Sequence, residues 1–172
     1  MSIVRIINGK NNELHRMKTM VDYLNDSTKQ VWQDEELSEI DLVRSYGVTF
    51  ENAFLVFKSM HYSYGYPGTR LYYHILISFD DEKVDPLMAT EVGFEINDFW
   101  KQKGVQFVQG THCIPTPHCH TILNAILPLT GKKLSIRKND IFAYKIFANE
   151  VLKKYSLNLI KMYMKEEVLV NE

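Results

Sequence analysis

Two apolar runs rich in β-branched residues, "VQFVQGTHC" and "CHTILNAIL", stand on either side of the short segment "IPTPH". This pair restricts the fold more than any other feature of the chain. Each run reads as a strand, and so short a proline-containing connection joins antiparallel neighbours. A parallel crossover would need a dozen or more residues. The middle of the fold is therefore expected to be a hairpin within an antiparallel sheet.

The flanking sequence supplies more strands and the helices to cover them. Ser2 to Ile7 reads as a first strand. A helix is predicted over Glu13 to Leu24, capped by Asn11 or Asn12, with Leu14, Met17, Met20, Val21 and Leu24 on one apolar stripe. Asn25 to Glu39 is polar and acidic, a loop with some helix. Asn52 to Met60 reads as a second helix, "HYSYGYPGTR" as a turn-rich aromatic loop, and Leu71 to Phe79 as the clearest strand. Asp85 as N-cap and Pro86 at the first helical position start a helix over Leu87 to Lys101. Gly131 to Arg137 turns back into a final amphipathic helix, Lys138 to Tyr155. The fold class expected is α/β in the α+β sense: one domain over residues 1–172 with a central antiparallel sheet flanked by helices.

Composition excludes some classes. No run of about 18 apolar residues is present, so no transmembrane helix is expected. "MSIVRIINGK" lacks a small-residue cleavage site, so no secretory signal is expected. Two cysteines, both beside histidines, form no disulfide framework, and a reducing cytoplasm is the expected setting. A net charge of -1 argues against non-specific binding to long duplexes but allows a local basic groove.

The hairpin also holds the chemistry. His118 and His120 are two apart on a strand and project from one face. Hairpin pairing returns His112 beside them. Three imidazoles on one face form an incomplete metal shell whose open positions suit a catalytic ion. Cys113 and Cys119 permit a closed Cys/His zinc site instead, but Cys119 alternates with the histidines and is expected on the other face as a small core residue. Tyr23 by itself is an aromatic at the end of an amphipathic helix.

In order along the chain, "VRIINGKNNELHRMKTMVDYLND", "RLYYHILISFDDEKVDP", "ATEVGFEINDFW" and "THCIPTPHCHTILNAI…TGKKL" resemble the segments of the mobilisation relaxases, the HUH-type DNA strand transferases. The resemblance runs from about residue 2 to about 157. It implies the palm-like sheet fold, Tyr23 as nucleophile, and His112, His118 and His120 as ligands of Mn2+ or Mg2+, with Zn2+ able to stand in. It makes His74 and Asn124 supporting or positioning residues. It also implies single-stranded origin-of-transfer DNA as substrate, nicked by tyrosine attack with a 5′-phosphotyrosine product. The chain departs from the family at Ile114, where many relatives carry aspartate, and in the loop Pro115, Thr116 and Pro117, where many carry a further histidine. Asp22, Asp26 or Glu13 could supply the missing carboxylate.

DNA contacts are expected from Arg70, Lys132, Lys133 and Arg137, with Lys138 nearby. Tyr62, Tyr64 and Tyr66 are available to stack on unpaired bases. The near-neutral charge suggests reliance on DNA shape or an accessory DNA-binding protein. Alternative readings are a rolling-circle initiator or transposase of HUH type, a His-triad metallohydrolase acting on a small molecule, and a non-catalytic binding domain. A tyrosine placed before the histidines favours the relaxase over the first of these.

Overall fold

The structure is a computed structural model describing residues 2–7, 12–32, 35–37, 39–66 and 68–162. Along the chain come β1 (Ile3–Ile7), α1 (Leu14–Tyr23), β2 (Val31–Trp32), β3 (Glu35–Glu36), α2 (Glu39–Leu42), β4 (Val43–Tyr46) and α3 (Phe50–Ser63). These are followed by β5 (Tyr72–Ser78), α4 (Pro86–Ile96), α5 (Asp98–Lys101), β6 (Phe107–His112), β7 (His118–Asn124) and α6 (Lys138–Lys154). The main sheet has five strands in the order β1-β5-β7-β6-β4. Every neighbouring pair is antiparallel, which is the expected α+β class. β2 and β3 form a separate two-stranded ribbon.

The β6–β7 hairpin occupies the middle of the sheet, so both its faces are covered. On one face lie α1 and α3. Met17, Val21 and Leu24 of α1 and its end meet Ala53 and Phe57 of α3 over Tyr72, Val108 and Ile122. On the other lie α4 and α6, where Ala89, Val92, Ile96, Tyr144 and Ala148 pack on Ile75, Ile77, Phe107 and Leu123. Burying side chains of this size stabilises by roughly 1.5–3 kcal/mol each, which is why the apolar stripes decide which way each helix faces.

Several boundaries differ from expectation for local reasons. The N-cap of α1 is Glu13, whose side chain makes no cap bond, rather than Asn12; Asn11 lies outside the described residues. α3 starts earlier and ends later than Asn52 to Met60. Thr49 and Asn52 form a reciprocal capping box that sets its first turn. The helix expected over Leu87 to Lys101 is broken at Asn97. Asn97 Nδ2 instead donates to Gln109 Oε1 and Thr121 Oγ1, both at 2.8 Å, drawing that turn onto the sheet. β4 carries Arg44 and Ser45 on an edge strand of four residues, too short and too polar to give a period-2 signal.

Candidate metal centre

Register builds the histidine cluster. His112 and His118 are direct partners across the hairpin, and His120 pairs with Gly110 two positions further on. The three rings lie on the α1 face with centroid separations of 5.5 Å (His112–His118), 4.9 Å (His112–His120) and 5.1 Å (His118–His120). One ring nitrogen from each lies within 4.8 Å of the others, and among the described residues this is the group suited to hold a metal ion.

The second nitrogen of each ring decides whether the set is fit to bind one. His112 Nε2 donates to the Tyr23 carbonyl at 2.8 Å, and His118 Nδ1 donates to the Thr116 carbonyl at 2.7 Å. A carbonyl only accepts, so these bonds fix the tautomers. His120 Nδ1 lies 2.8 Å from His74 Nε2. What remains is Nδ1 of His112, Nε2 of His118 and Nε2 of His120. His112 Nδ1 is buried with no protein partner, an arrangement that costs roughly 1–3 kcal/mol unless something coordinates it. Three oriented imidazoles, each held from behind and open in front, fit a divalent ion.

Burial keeps His112 and His120 in the ligand form. It lowers His112 below the usual histidine value. It takes His74 down to about 4, helped by the nearby His112. It takes His120 down to about 2, with His74, His112 and His118 adding to the effect. Neutral imidazole is what a metal requires.

Tyr23, the last residue of α1, lies against this cluster. Its ring meets His112 edge-on at 4.6 Å and 89°, and His120 at 5.3 Å and 65°. Gly110 permits the approach. A Cβ there would lie 2.1 Å from the Leu24 carbonyl oxygen and 2.8 Å from Leu24 Cβ, so only glycine lets the end of α1 descend this close to the strand. Gly110 was not among the residues singled out from sequence. The available signal was a glycine inside an otherwise regular strand.

The remaining candidates divide. His74 is buried and braces His120. Asn124 is not beside the ligands: it lies four residues beyond His120, roughly 13 Å along a strand at about 3.3 Å per residue. There its Nδ2 donates to Gln106 Oε1 (3.0 Å) and Met60 Sδ (3.2 Å), while its Oδ1 accepts from the Ile126 amide at 3.0 Å, so it ties the end of β7 to α3. Glu13 bonds Arg16 at the opposite end of α1, and Asp22 bonds Lys18. Asp26 accepts from Thr28, which holds its carboxyl below the ordinary value, and it also feels His112.

Lys133 sits over the Tyr66 ring at 5.8 Å. Tyr64 lies so close to Gly131 that a Cβ there would meet its ring at 2.2 Å, so the aromatic loop and the Gly-Lys turn form one surface. Lys132 is exposed beside that turn, and the Arg137 amide donates to Asp140 at the start of α6. Arg70 stacks on Tyr73 at 4.7 Å. Cys113 and Cys119 are buried and stand apart from the nitrogens; burial pushes their thiols up to about 11 and about 12.

Among solved structures, the chain is similar to the MobM relaxase domain (MOBV; Mob_Pre) bound to plasmid pMV158 oriT DNA in its Mn-bound form. With the pH 6.5 crystal structure the TM-score is 0.63 at 13% identity, covering 99% of this chain and 93% of that one. The pH 5.5 structure of the same domain gives a TM-score of 0.63 at 11% identity, covering 99% and 95%. At this identity the likeness is one of fold. No curated protein matches the chain. No helix among the described residues is long and apolar enough to cross a membrane. The family model for the MobA/VirD2-like relaxase nuclease domain matches residues 23–157, and with the sheet and the histidine cluster in place the chain belongs to that family of DNA-nicking enzymes.

Proposed function

We propose that this domain nicks one strand of origin-of-transfer DNA in the cytoplasm, with Tyr23 as the nucleophile, to mobilise a plasmid or integrative element. The observation that carries the reading is the edge-on packing of Tyr23 against His112 and His120, two of the three residues with an open ring nitrogen. His112, His118 and His120 would hold the ion, Mn2+ or Mg2+. When bound, it neutralises charge developing on the scissile phosphate.

The chain's own residues account for the rest. Tyr23 gives up its phenolic proton, and its oxygen forms a bond to phosphorus as the bond to the 3′-oxygen breaks. The departing oxygen takes up a proton, and the 5′-phosphate stays on the tyrosine. Two phosphodiester-like links are exchanged, so the energy for later rejoining is kept. Phenols in general are weak nucleophiles until deprotonated, so attack at neutral pH needs help. Asp26 is the carboxylate best placed by its interaction with His112, although its bonds to Thr28 make it a weak base. The His112–Tyr23 carbonyl bond ties the nucleophile's backbone to a metal-binding ring, so that one helix end sets both. An accessory DNA-binding protein would supply affinity that a net charge of -1 does not.

The test is incubation with Mn2+ and a single-stranded oligonucleotide carrying the origin of the element that encodes the protein. The wild type is expected to give a protein–DNA adduct that survives a denaturing gel. Tyr23→Phe is expected to bind Mn2+ equally well and to form no adduct. An adduct formed by Tyr23→Phe at the wild-type rate would make another residue the nucleophile.

A further inference from the structure

On the α6 side of the sheet, away from the histidines, β1, the start of β5 and the segment after α6 surround a cavity of about 460 Å³. Four cations line it: Arg5, Arg70, Lys145 and Lys161. Among the described residues no carboxylate lines it, and none of the four has an acidic partner. Two donors of the lining, one of them on Arg70 itself, are buried without a partner. Ser2 is 2% exposed, and its Oγ is buried and unbonded; Arg70 Nη1 is buried and unbonded as well. Leaving such donors dry and unpaired is costly, and more so for a charged one.

The walls are fixed. Asn149 clamps Ile160 from both sides, donating to its carbonyl at 3.0 Å and accepting from its amide at 2.8 Å. Ile160 bridges in turn to Ser2. Tyr73, on which Arg70 stacks, is held by its hydroxyl donating to the Leu134 carbonyl at 2.9 Å. The rest of the lining is aliphatic, including Val4, Ile136 and Ile141.

We propose that this cavity binds a single nucleotide. Arg70, Lys145 and the Ser2 hydroxyl take the phosphate, and the base lies against Tyr73 and the aliphatic wall. An apolar surface with a few converging polar groups is the usual make-up of a small-ligand site, and the volume falls within the roughly 300–1,000 Å³ such sites occupy. Unpaired cations beside buried donors select an anion with several oxygens. The nucleotide has two sources. One is an unpaired residue of the DNA strand that the histidine face cuts, which rests on the function proposed above. The other is a free mononucleotide.

Binding of AMP by calorimetry and of labelled oligothymidylate by anisotropy, both to the full chain in EDTA, separates them. EDTA removes the metal, so no strand is cut during the measurement. The variants are the double charge reversal Arg5→Glu/Lys145→Glu, the milder Lys145→Gln, and Lys83→Glu as an exposed control. AMP binding that the double variant weakens by about tenfold or more, and Lys83→Glu does not, assigns a free nucleotide. Oligothymidylate binding that falls in this way without AMP binding assigns a residue of the strand. Lys145→Gln should show a smaller loss of the same kind with unchanged melting. If the double variant melts normally and binds both probes as the wild type does, or if the wild type binds neither, the cavity is no nucleotide site. Adduct formation through Tyr23 would then stand unaffected, so the two proposals fail separately.

Discussion

The β6–β7 hairpin carries polar residues on both faces, and the two faces treat them differently. Toward α4 and α6, Asn97 uses every polar atom of its side chain. It donates to Gln109 and Thr121 and accepts from the Tyr144 hydroxyl at 2.6 Å. Gln109 Nε2 then donates to the Thr90 carbonyl at 3.0 Å. Thr90 Oγ1 lies 2.7 Å from Thr111 Oγ1 and bonds the Pro86 carbonyl. Toward α1, His112, His118 and His120 are each satisfied at one nitrogen only. A closed network holds a fold together, and a half-closed one is an unfilled coordination shell. The same two strands make both, because alternate residues face opposite ways.

The difference is broken most severely at His120, which is both a ligand and the partner of His74. His120→Ala is expected to reduce Mn2+ affinity by more than the roughly 10–100-fold that loss of an outer partner costs, and to abolish adduct formation. Calorimetry with Mn2+ checks the first and the denaturing gel the second; unchanged Mn2+ affinity would remove the metal assignment.

Gly110→Ala is expected to come next. Its Cβ would occupy the space of the Leu24 carbonyl, so the end of α1 must lift and carry Tyr23 with it. A displacement of this order can cost about 100-fold in rate. Mn2+ affinity should fall much less, because of the three rings only His112 is hydrogen-bonded to that helix end. Single-turnover nicking at the wild-type rate would mean that Tyr23 does not act from this position.

The half-closed shell was readable from sequence in outline. A short proline connection fixed the hairpin, and the H-x-H spacing with alternation placed three histidines on one face. What could not be read was the set of long-range contacts that gives each ring its direction. The Tyr23 carbonyl is 89 residues from His112, and His74 is 46 from His120; no local period encodes either pairing. Asn97 failed for the opposite reason. Its helical context was strong, and a bond to the sheet overrode it. Asn124 sits on a matching motif position, and the sequence did not show that its bonds run to Gln106, Met60 and Ile126 at the strand end. β4 was missed because an edge strand of four mixed residues has no amphipathic signature.

The open face should also respond to protons when no metal is present. Burial holds His74 at about 4 and His120 at about 2, against 6.5 for a free imidazole. The folded state therefore resists protonation that the unfolded chain accepts. The resulting stability is full well above pH 6.5 and is lost as pH falls, toward about 4 for His74 and on toward about 2 for His120. Thermal melting in EDTA is expected to show a flat Tm at neutral pH and a decline below it. His74→Phe should make the decline shallower and lower Mn2+ affinity by roughly 10–100-fold. A Tm that rises on acidification would contradict the buried, neutral state of these rings.

The smallest effect is expected on the closed face, at Cys119, one residue from two metal-binding candidates. Its thiol donates to the Ala89 carbonyl at 3.1 Å and lies 3.4 Å from Thr111 Oγ1. It also fills the space over Gly93, where a Cβ would come within 2.7 Å of the sulfur. Burial pushes its thiol up to about 12, so without a metal it stays protonated at neutral pH. Serine is smaller and keeps one donor for the Ala89 carbonyl. Cys119→Ser should therefore cost about 1 kcal/mol or less beyond the loss of packing, in line with a retained hydrogen bond. Mn2+ affinity and adduct formation should not change, since the sulfur faces α4 while the open nitrogens face α1. Denaturant unfolding and Mn2+ calorimetry on the same sample decide the point. If Cys119→Ser loses metal while remaining folded, the two faces are not separate, and a Cys/His site extends through the strand.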